Sequence, residues 1–272
     1  MGIDKGFRPV DVDALGVRQL PGDVDTTVAH PARVYDYVLG GKDNWPVDRE
    51  VAERVLSVLP NARDEALANR AFLRRTVRYA AERGVTQFLD IGTGIPTVGP
   101  THETAHAVEP AARIVYVDND PIVLTHARAL LVNDDLTYVI QADVRRPRSL
   151  LDHPETRRRL DFTRPIALMF VGLLYFVTDD ELDGLIEQYT RELAPGSLML
   201  LSHAIDSPET RATQAVYKAT APLIPRGLGQ IADLFGDWEL VEPGLVPVHD
   251  WRPDGEDDPR AAQLVGGVAV KP

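Results

Sequence analysis

The sequence has 272 residues, a net charge of −12 and no cysteine. These values allow one large α/β domain, or one domain with a modest extension, and they exclude disulfide bonds and thiolate metal sites. The negative charge disfavours duplex nucleic acid as a partner, no segment is long and apolar enough to span a bilayer, and the N-terminus lacks a signal-peptide pattern, so we expect a soluble cytoplasmic protein with no nucleic-acid or membrane partner.

The first part of the chain predicts an irregular arm and then helices. Residues 1–28 are polar, rich in aspartate and without sustained periodicity, which is typical of a loosely packed N-terminal arm. Apolar residues at helical spacing then predict helices over 30–41, 45–60 and 61–84. We predict that residues 29–84 form a helical layer before the main domain.

From residue 85 onward, strands alternate with helices. Strands are predicted at 86–91, 113–118, 137–143, 165–171 and 197–204, and helices at 101–109, 121–131, 178–193, 207–221 and 229–236. This alternation implies right-handed crossovers and a doubly wound, mostly parallel sheet. Two final strands, at 238–246 and 263–271, have only a polar loop between them, so they must pair antiparallel. Residues 85–272 are thus predicted to form one α/β domain.

The stretch FLDIGTG (88–94) ends the first of these strands with two glycines. Gly92 and Gly94 allow the backbone to approach a ligand closely. A dinucleotide-binding turn would carry a third glycine, but that position is Thr97. From the glycines alone, a ligand-binding turn and an ordinary tight turn between strand and helix both remain open.

Acidic residues at three successive strand ends favour the ligand-binding alternative. Asp118 closes the second strand, where dinucleotide enzymes place an acid on the ribose hydroxyls. The alternative role for Asp118 is to cap the helix that begins at residue 121, but Asp120 is better placed for that role. Asp143 closes the third strand and can accept from an adenine amine, and Asp90 can face an ammonium group. Three acids without the third glycine suit S-adenosylmethionine, a cationic nucleoside, and suit a pyrophosphate badly.

Three strings carry a resemblance to known proteins. FLDIGTG, VYVDNDP (115–121) and QADV (141–144) resemble the first three cofactor motifs of class I methyltransferases. With ARVYDYVLGGKDNW (32–45), the chain resembles, over nearly all of residues 30–270, the actinobacterial S-adenosylmethionine-dependent methyltransferase family formerly catalogued as a domain of unknown function. The resemblance implies an α/β, class I methyltransferase Rossmann-like fold. Its sheet would be mostly parallel and seven-stranded, with a terminal antiparallel strand and an N-terminal helical cap.

The motifs and the resemblance together give a set of predicted site residues, with S-adenosyl-L-methionine as the cofactor. The predicted cofactor-binding residues are Asp90, Gly92, Thr93, Gly94, Asp118, Asn119, Asp143 and Val144, with Gly172 beside them. By resemblance alone, Tyr37, Gly40, Gly41 and Asn44 are also predicted to line the pocket. The motifs of the family do not define what it methylates.

The end of the fourth strand bears on the methyl acceptor. Methyltransferases that act on nucleobase or glutamine amines often resemble Asn/Asp-Pro-Pro-Tyr there, whereas this chain has VGLLYFV (171–177), which favours a small-molecule acceptor. Tyr175 and His203 are candidate catalytic residues, and the alternative for each is a packing or structural role. A general base is needed only for acceptors that hold their proton.

The string HETAH (102–106) matches the zinc motif His-Glu-x-x-His. Since it directly follows the glycine turn and no third ligand is evident, we predict no metal site and assign packing or pocket lining to His102 and His106. The remaining alternatives are an NAD-dependent oxidoreductase, against which Thr97 counts, and a non-catalytic protein that binds S-adenosylmethionine or a nucleotide. The sequence predicts an S-adenosylmethionine-dependent methyltransferase that acts on an unknown small molecule, and it leaves the oligomeric state open.

Overall fold

A computed structural model describes residues 25–96, 98–130, 136–255 and 259–272. Most of the predicted N-terminal arm, Thr97 and the last residue of the helix predicted at 121–131 lie outside the described residues. Among the described helices, none is long and apolar enough to cross a membrane.

One mixed β-sheet forms the centre of the described structure. Its strands are β1 (Gln87–Ile91), β2 (Arg113–Asp118), β3 (Thr137–Gln141), β4 (Ala167–Val171), β5 (Leu198–Ala204), β6 (Glu239–Leu240), β7 (Val246–Pro247) and β8 (Leu264–Val270). Their order is β3-β2-β1-β4-β5-β8-β6, and β7 pairs with β8. β1 to β5 are parallel, and β8 is antiparallel to its neighbours. The predicted mostly parallel sheet with a terminal antiparallel strand is confirmed, and the predicted strand at 238–246 divides into β6 and β7.

Helices precede the sheet, connect its strands and cover both of its faces. In the described residues they are α1 (Pro31–Leu39), α2 (Pro46–Val58), α3 (Ala62–Glu82), α4 (Thr101–Val108), α5 (Pro121–Leu130), α6 (Pro147–Leu151), α7 (Pro154–Arg159), α8 (Asp179–Leu182), α9 (Leu185–Thr190), α10 (Pro208–Tyr217) and α11 (Leu228–Asp233). Since helices lie on both faces, the parallel strands are apolar on both sides. On β1, for example, Phe88 packs in the core with α3, whereas Leu89 and Ile91 pack in the opposite core with α6 and α9.

The long helix α3 belongs to two hydrophobic cores. Ala62 and Ala66 pack in a core with α1, α2 and α10. Further along, Phe72 and Val77 pack in the core on the sheet. Phe72 rests on β8 at Gly266, where a β-carbon would lie 2.6 Å from the phenyl ring. α3 therefore joins the helical layer to the sheet, and the predicted division of the chain at residue 84 stays a prediction.

Besides the division of the strand predicted at 238–246, the structure differs from the predicted elements in two places. α6 and α7, between β3 and β4, were not predicted, because each is too short for a helical period to show in the sequence. The helix predicted at 178–193 is divided into α8 and α9, because Gly184 adopts a left-handed φ of 63°. The predicted start is confirmed, since the Glu181 carboxylate accepts a hydrogen bond from the Thr178 backbone N–H at 3.1 Å.

Candidate functional site

The glycine turn lies at the carboxyl end of β1. Gly92 and Gly94 have φ values of 72° and 63°, which residues with a side chain rarely adopt. The backbone N–H groups of Gly92 and Thr93 donate to the Val117 carbonyl of β2 at 2.8 and 3.2 Å. A β-carbon on Gly94 would meet nothing within 4 Å. The turn is therefore fixed to the neighbouring strand and leaves open space beside it.

Asp118 holds the glycine turn through its side chain. One carboxylate oxygen accepts from the Gly94 N–H at 2.9 Å, and the other accepts from the Asp120 N–H at 2.9 Å. Burial raises the pKa of Asp118 above its ordinary value, against the effect of these hydrogen bonds. Asp120 accepts from the Ile122 N–H at 2.9 Å and so caps α5, as predicted. Asp118 therefore shapes the turn from a buried position.

Asp90 is a buried carboxylate with little positive charge to compensate it. Its Oδ2 accepts from the Thr101 hydroxyl at 2.6 Å. Burial raises its pKa to about 6, although the Thr101 hydrogen bond and the Arg70 charge act in the opposite direction. A cationic ligand group beside Asp90 would stabilise the ionised form. This site accordingly fits the ammonium group of an amino acid.

Asp143, Asn119 and Val144 lie at the ends of β2 and β3. Arg145 contacts Asp143 with a nitrogen–oxygen distance of 2.7 Å. Burial acts to raise the pKa of Asp143, but the hydrogen bonds and charge of Arg145 outweigh it and hold the pKa below its usual range. The exposed Asn119 and the half-buried Val144 complete this part of the surface.

A cavity of about 420 Å³ runs from these strand ends to a space beneath α1, α2, α3 and α10. Its strand-end compartment is lined by Asp90, Gly92, Thr93, Gly94, Asp118, Asn119, Asp143 and Val144. Its inner compartment is lined mainly by apolar side chains, namely Val38, Val55, Leu59, Leu73, Phe176, Tyr217 and Leu223. The structure therefore brings the predicted acids and glycines together and connects them to an apolar space.

The two compartments meet at the end of β4. Gly172 has a φ of 70°, and a β-carbon there would lie 2.9 Å from Asn69 Nδ2 and 3.3 Å from the Tyr175 hydroxyl oxygen. The Ser202 hydroxyl of β5 donates to Asn69 Oδ1 at 2.6 Å. Tyr175 is half-buried and its ring packs against Phe176, with ring centroids 4.7 Å apart. Gly172 and Tyr175 thus lie where the prediction placed them, at the ligand edge of the sheet.

Several polar residues of the cavity were not predicted from the sequence. Among them are His30, Asn69 and Arg70. The Arg70 Nε donates to the Val98 carbonyl at 2.9 Å and holds the segment after the glycine turn. Asn69 and Arg70 lie three and four residues after Ala66, on the buried stripe of α3, so polar residues within an apolar stripe were the available signal. In a single sequence, no comparable signal marks His30.

His203 lies behind Tyr175, outside the cavity lining. It is fully buried, and the two ring centroids are 5.6 Å apart. Since Arg226 can only donate, its Nη1 gives a hydrogen bond to His203 Nε2 at 2.9 Å, and His203 Nδ1 donates to the Ala204 carbonyl at 2.8 Å. Burial lowers the pKa of His203 to about 4. Both ring nitrogens of this neutral histidine are therefore occupied by partners within the fold. This arrangement favours the structural role of His203 over the catalytic one.

The residues predicted by family resemblance alone are not among those that line the cavity. They are Tyr37, Gly40, Gly41 and Asn44. Asp36 organises their loop, because its Oδ2 accepts from the Asp43 N–H and from the Asn44 side chain, both at 2.9 Å. A β-carbon on Gly41 would lie 2.0 Å from Asp36 Oδ1. The Tyr37 hydroxyl donates to Glu53.

The loop after α1 is connected to the candidate site through α1 and Trp45. Arg33 Nε lies 3.2 Å from Asp120 Oδ2, and the guanidinium of Arg33 stacks over the Trp45 ring at 5.3 Å. Trp45 also packs in a small core with Ile95 of the segment after the glycine turn. Helix α1 is therefore fastened to the loops that follow β1 and β2, on the side of the predicted nucleoside site.

The histidines of HETAH both lie on α4. His102 Nδ1 is 2.9 Å from the Tyr116 hydroxyl, and His106 Nε2 donates to the Ala112 carbonyl at 3.0 Å. Within the part of the chain that the structure describes, there is no group of three residues suited to hold a metal ion. These two histidines have packing and hydrogen-bonding partners within the protein.

The order of the strands fits an extended cationic nucleoside. Asp118 and Asp90 lie on the adjacent strands β2 and β1, and Asp143 lies two residues after the end of the neighbouring β3. With a strand spacing of about 4.8 Å, their backbones span about 10 Å. The residues present therefore suit an adenine, a ribose and an ammonium group in that order.

Comparison with known proteins agrees with this geometry. The model of the S-adenosyl methyltransferase family matches residues 17–272. No curated protein matches the chain significantly. The crystal structure of an inferred methyltransferase from Thermobifida fusca YX is 42% identical, with a TM-score of 0.89 over 93% of this chain and 99% of that chain. A DUF574 family protein from Streptomyces avermitilis is 40% identical, with a TM-score of 0.85 over 91% of this chain and 99% of that chain.

A more distant structure shows the same fold. An O-methyltransferase family 2 protein from Planctomyces limnophilus has a TM-score of 0.50 at 14% identity, over 84% of this chain and 67% of that chain. The class I methyltransferase fold and S-adenosyl-L-methionine as cofactor are therefore as predicted. The chain belongs to the S-adenosyl methyltransferase family.

Proposed function

We propose that this S-adenosylmethionine-dependent methyltransferase transfers its methyl group to a small, largely apolar molecule held in the inner compartment. The observation that carries the proposal is the single cavity that joins the acid-lined strand ends to a space beneath α1, α2, α3 and α10. A cavity of about 420 Å³ that must also hold the cofactor leaves room only for a small acceptor. The net charge of −12 is also unfavourable for a nucleic-acid acceptor.

The cofactor is proposed to lie along the strand ends. Adenine would lie near Asp143, the ribose near Asp118 and the methionine ammonium group near Asp90. The sulfonium would then lie toward Gly172, since β4 is the next strand after β1. The order of the strand ends supports this assignment, as does the unbalanced carboxylate of Asp90. Residues 29–84 are proposed to act as the cap that closes the inner compartment.

Calorimetry with S-adenosylmethionine and S-adenosylhomocysteine tests the cofactor site. Asp118→Ala removes the acceptor for two loop N–H groups and the proposed partner of the ribose, so we expect a loss of about 1–3 kcal/mol in binding free energy. Asp237→Asn changes an exposed acid and serves as the matched control. Equal affinity in the Asp118→Ala variant would remove this residue from the site.

The acceptor class is tested by measuring S-adenosylhomocysteine formation with several acceptor pools. We expect turnover with small aromatic or aliphatic molecules and none with transfer RNA, DNA or denatured protein. Methylation of a macromolecule, with no turnover of any small molecule, would contradict the proposed acceptor class.

A further inference from the structure

Two polar groups converge at the junction of the two compartments. Asn69 Nδ2 lies 2.9 Å, and the Tyr175 hydroxyl oxygen 3.3 Å, from the point where a β-carbon of Gly172 would be. A ligand atom would not occupy this point itself, which is within bonding distance of the Gly172 α-carbon, but both polar atoms pack against this glycine and can be reached from the cavity. Both groups belong to residues that line the cavity.

Both groups are oriented as hydrogen-bond donors. Asn69 is buried, and its Oδ1 accepts from the Ser202 hydroxyl, which turns the amide nitrogen toward Gly172. The neighbouring Tyr35 hydroxyl donates to the Ala66 carbonyl at 3.0 Å, and its oxygen is also a hydrogen-bond partner of the Asn69 side chain, which leaves the second N–H of the Asn69 amide for a ligand. The Tyr175 hydroxyl makes no hydrogen bond to any part of the chain that the structure describes. Burial raises the pKa of Tyr175 above its ordinary value, so its hydroxyl keeps its proton.

The titratable groups of the described cavity residues that could accept a proton are already engaged. Asp90 accepts from Thr101 and is assigned to the cofactor, and His30 Nδ1 lies 3.0 Å from Asp120 Oδ2. Glu65 is the carboxylate of the inner compartment, and its oxygens already accept from the backbone N–H groups of Ala262 and Gln263 at 2.7 and 3.1 Å. His203 uses both ring nitrogens within the fold. The junction therefore offers donors to an acceptor and offers no group to remove its proton.

We propose that the methyl acceptor is an acidic oxygen, the phenolic, enolic or carboxylic oxygen of a small apolar molecule, bound as its anion by Asn69 Nδ2 and the Tyr175 hydroxyl. This inference rests on the proposed function and specifies its acceptor. Converging neutral donors stabilise an oxygen anion in an apolar site, as they do in an oxyanion hole. The counter-charge is the sulfonium itself, so the compartment needs no further cation at this point.

The transfer balances without any further reactant. The acceptor loses its proton to water before it binds, and its oxygen lone pair forms the new O–C bond. The C–S bond breaks, and its electron pair stays on sulfur. An anion and a sulfonium thus become a neutral ether or ester and a neutral thioether.

Amines and thiols fit this pair of donors less well. A neutral amine presents N–H donors of its own, and Asn69 Oδ1 is already occupied by Ser202. A thiolate is a weak hydrogen-bond acceptor, so the two donors would stabilise it less. The junction therefore favours oxygen.

The ionisation of bound 4-nitrophenol tests the proposal without turnover. Absorbance of the phenolate is titrated against pH in the complex of the protein with S-adenosylhomocysteine, which lacks the sulfonium. Because burial alone opposes ionisation, the contribution of the donors is the difference between the wild-type protein and its variants. Tyr175→Phe should lower the ionisation constant of the bound phenol by about tenfold, and Tyr138→Phe, which removes a hydroxyl outside the cavity, should leave it unchanged.

A second variant keeps the shape of the site and changes its charge. Asn69→Asp still accepts from Ser202 but replaces the donor with an anion, so we expect it to bind 4-nitrophenol only in its neutral form. With S-adenosylmethionine present, the wild-type protein should methylate 4-nitrophenol or benzoate but not aniline or thiophenol. We expect Tyr175→Phe to lower kcat with these oxygen acceptors by about 10-fold to 100-fold, with a smaller change in KM.

The outcomes separate this proposal from the proposed function. Preferred methylation of aniline or thiophenol, or an equal ionisation constant of bound 4-nitrophenol in the wild-type and Tyr175→Phe proteins, overturns the oxygen acceptor and leaves a small-molecule methyltransferase. If calorimetry shows the cofactor bound but none of the four probes enters the cavity, the small apolar acceptor itself is overturned.

Discussion

At the scale of single residues, Asp90 should make the affinity for the cofactor depend on pH. Because burial raises its pKa to about 6, the residue is protonated below that pH and ionised above it. A cationic ammonium group binds the ionised form, so the affinity for S-adenosylmethionine should rise from about pH 5 to about pH 7.5 and then level off. Calorimetry across this range measures the slope.

The same shift has a consequence for stability. Since the folded pKa lies above the ordinary value of 3.8, ionised Asp90 destabilises the cofactor-free protein above about pH 6, and this cost disappears as the pH falls toward 4.

The variant Asp90→Asn tests the effect of this residue on cofactor affinity. Because asparagine does not ionise, the substitution should abolish the pH dependence of cofactor affinity. A variant whose affinity profile runs parallel to the wild-type profile would contradict the assignment of Asp90 to the ammonium group.

The acids of the cavity could be predicted because the strands that carry them are adjacent and parallel, so their ends meet. The residues from α1 and α3 could not be predicted in the same way. Asn69 and Arg70 are far from the glycine turn in sequence, and only the packing of α3 against the sheet brings them to it. For His203, the position in the sequence is misleading. Its place at a strand end suggests a general base, but burial and the hydrogen bond from Arg226 give it a structural role.

At the scale of elements, the loop after α1 depends on a glycine without a side chain. In Gly41→Ala the new β-carbon would lie 2.0 Å from Asp36 Oδ1, which is fixed by the loop. We expect a loss of about 1–3 kcal/mol in the free energy of unfolding, measured in urea, and weaker cofactor binding. In the matched control Gly229→Ala, the new β-carbon meets nothing within 4 Å on an exposed helix, so stability should stay equal or rise by up to about 1 kcal/mol. Equal effects of the two substitutions would show that the loop tolerates the change.

Helix α1 is held at the nucleoside side of the cavity by Arg33. This buried arginine contacts Asp120 at 3.2 Å and Asp48 at 3.6 Å. Arg33→Ala removes the arginine from two buried carboxylates and leaves Asp120 with only His30, at 3.0 Å, so we expect a loss of about 3–5 kcal/mol in stability in chemical denaturation. Arg54→Ala, on the exposed face of α2, should cost far less. A cost for Arg33→Ala as small as that of the control would show that the contact with Asp120 does not hold α1.

The predicted elements succeed where a pattern is long enough to be seen. Short apolar runs predict the strands of the parallel sheet, and sustained apolar periodicity predicts helix α3. The short helices α6 and α7 were missed because five or six residues cannot display a period. Gly184 is the available signal for the break between α8 and α9, because its left-handed backbone ends the first of the two helices.

At the scale of the whole molecule, we expect one unfolding transition. Helix α3 places Ala66 in the core of the helical layer and Phe72 in the core on the sheet, so neither core can open without disturbing the other. Differential scanning calorimetry should therefore show a single peak. With S-adenosylhomocysteine about 100-fold above its Kd, the folded state should gain about 2.7 kcal/mol, which would raise the midpoint of that peak. Two separate peaks would indicate a helical cap that unfolds by itself.

The position of β8 constrains how the polypeptide matures during translation. This strand pairs with β5 on one side and β6 on the other, yet it is synthesised after both of them. While the ribosome is still adding the intervening residues, the outer edge of β5 is an unsatisfied template that another nascent chain can join. Assembly of this half of the sheet therefore has to wait until β8 has emerged from the exit tunnel, and this is the interval in which a holding chaperone would be most useful.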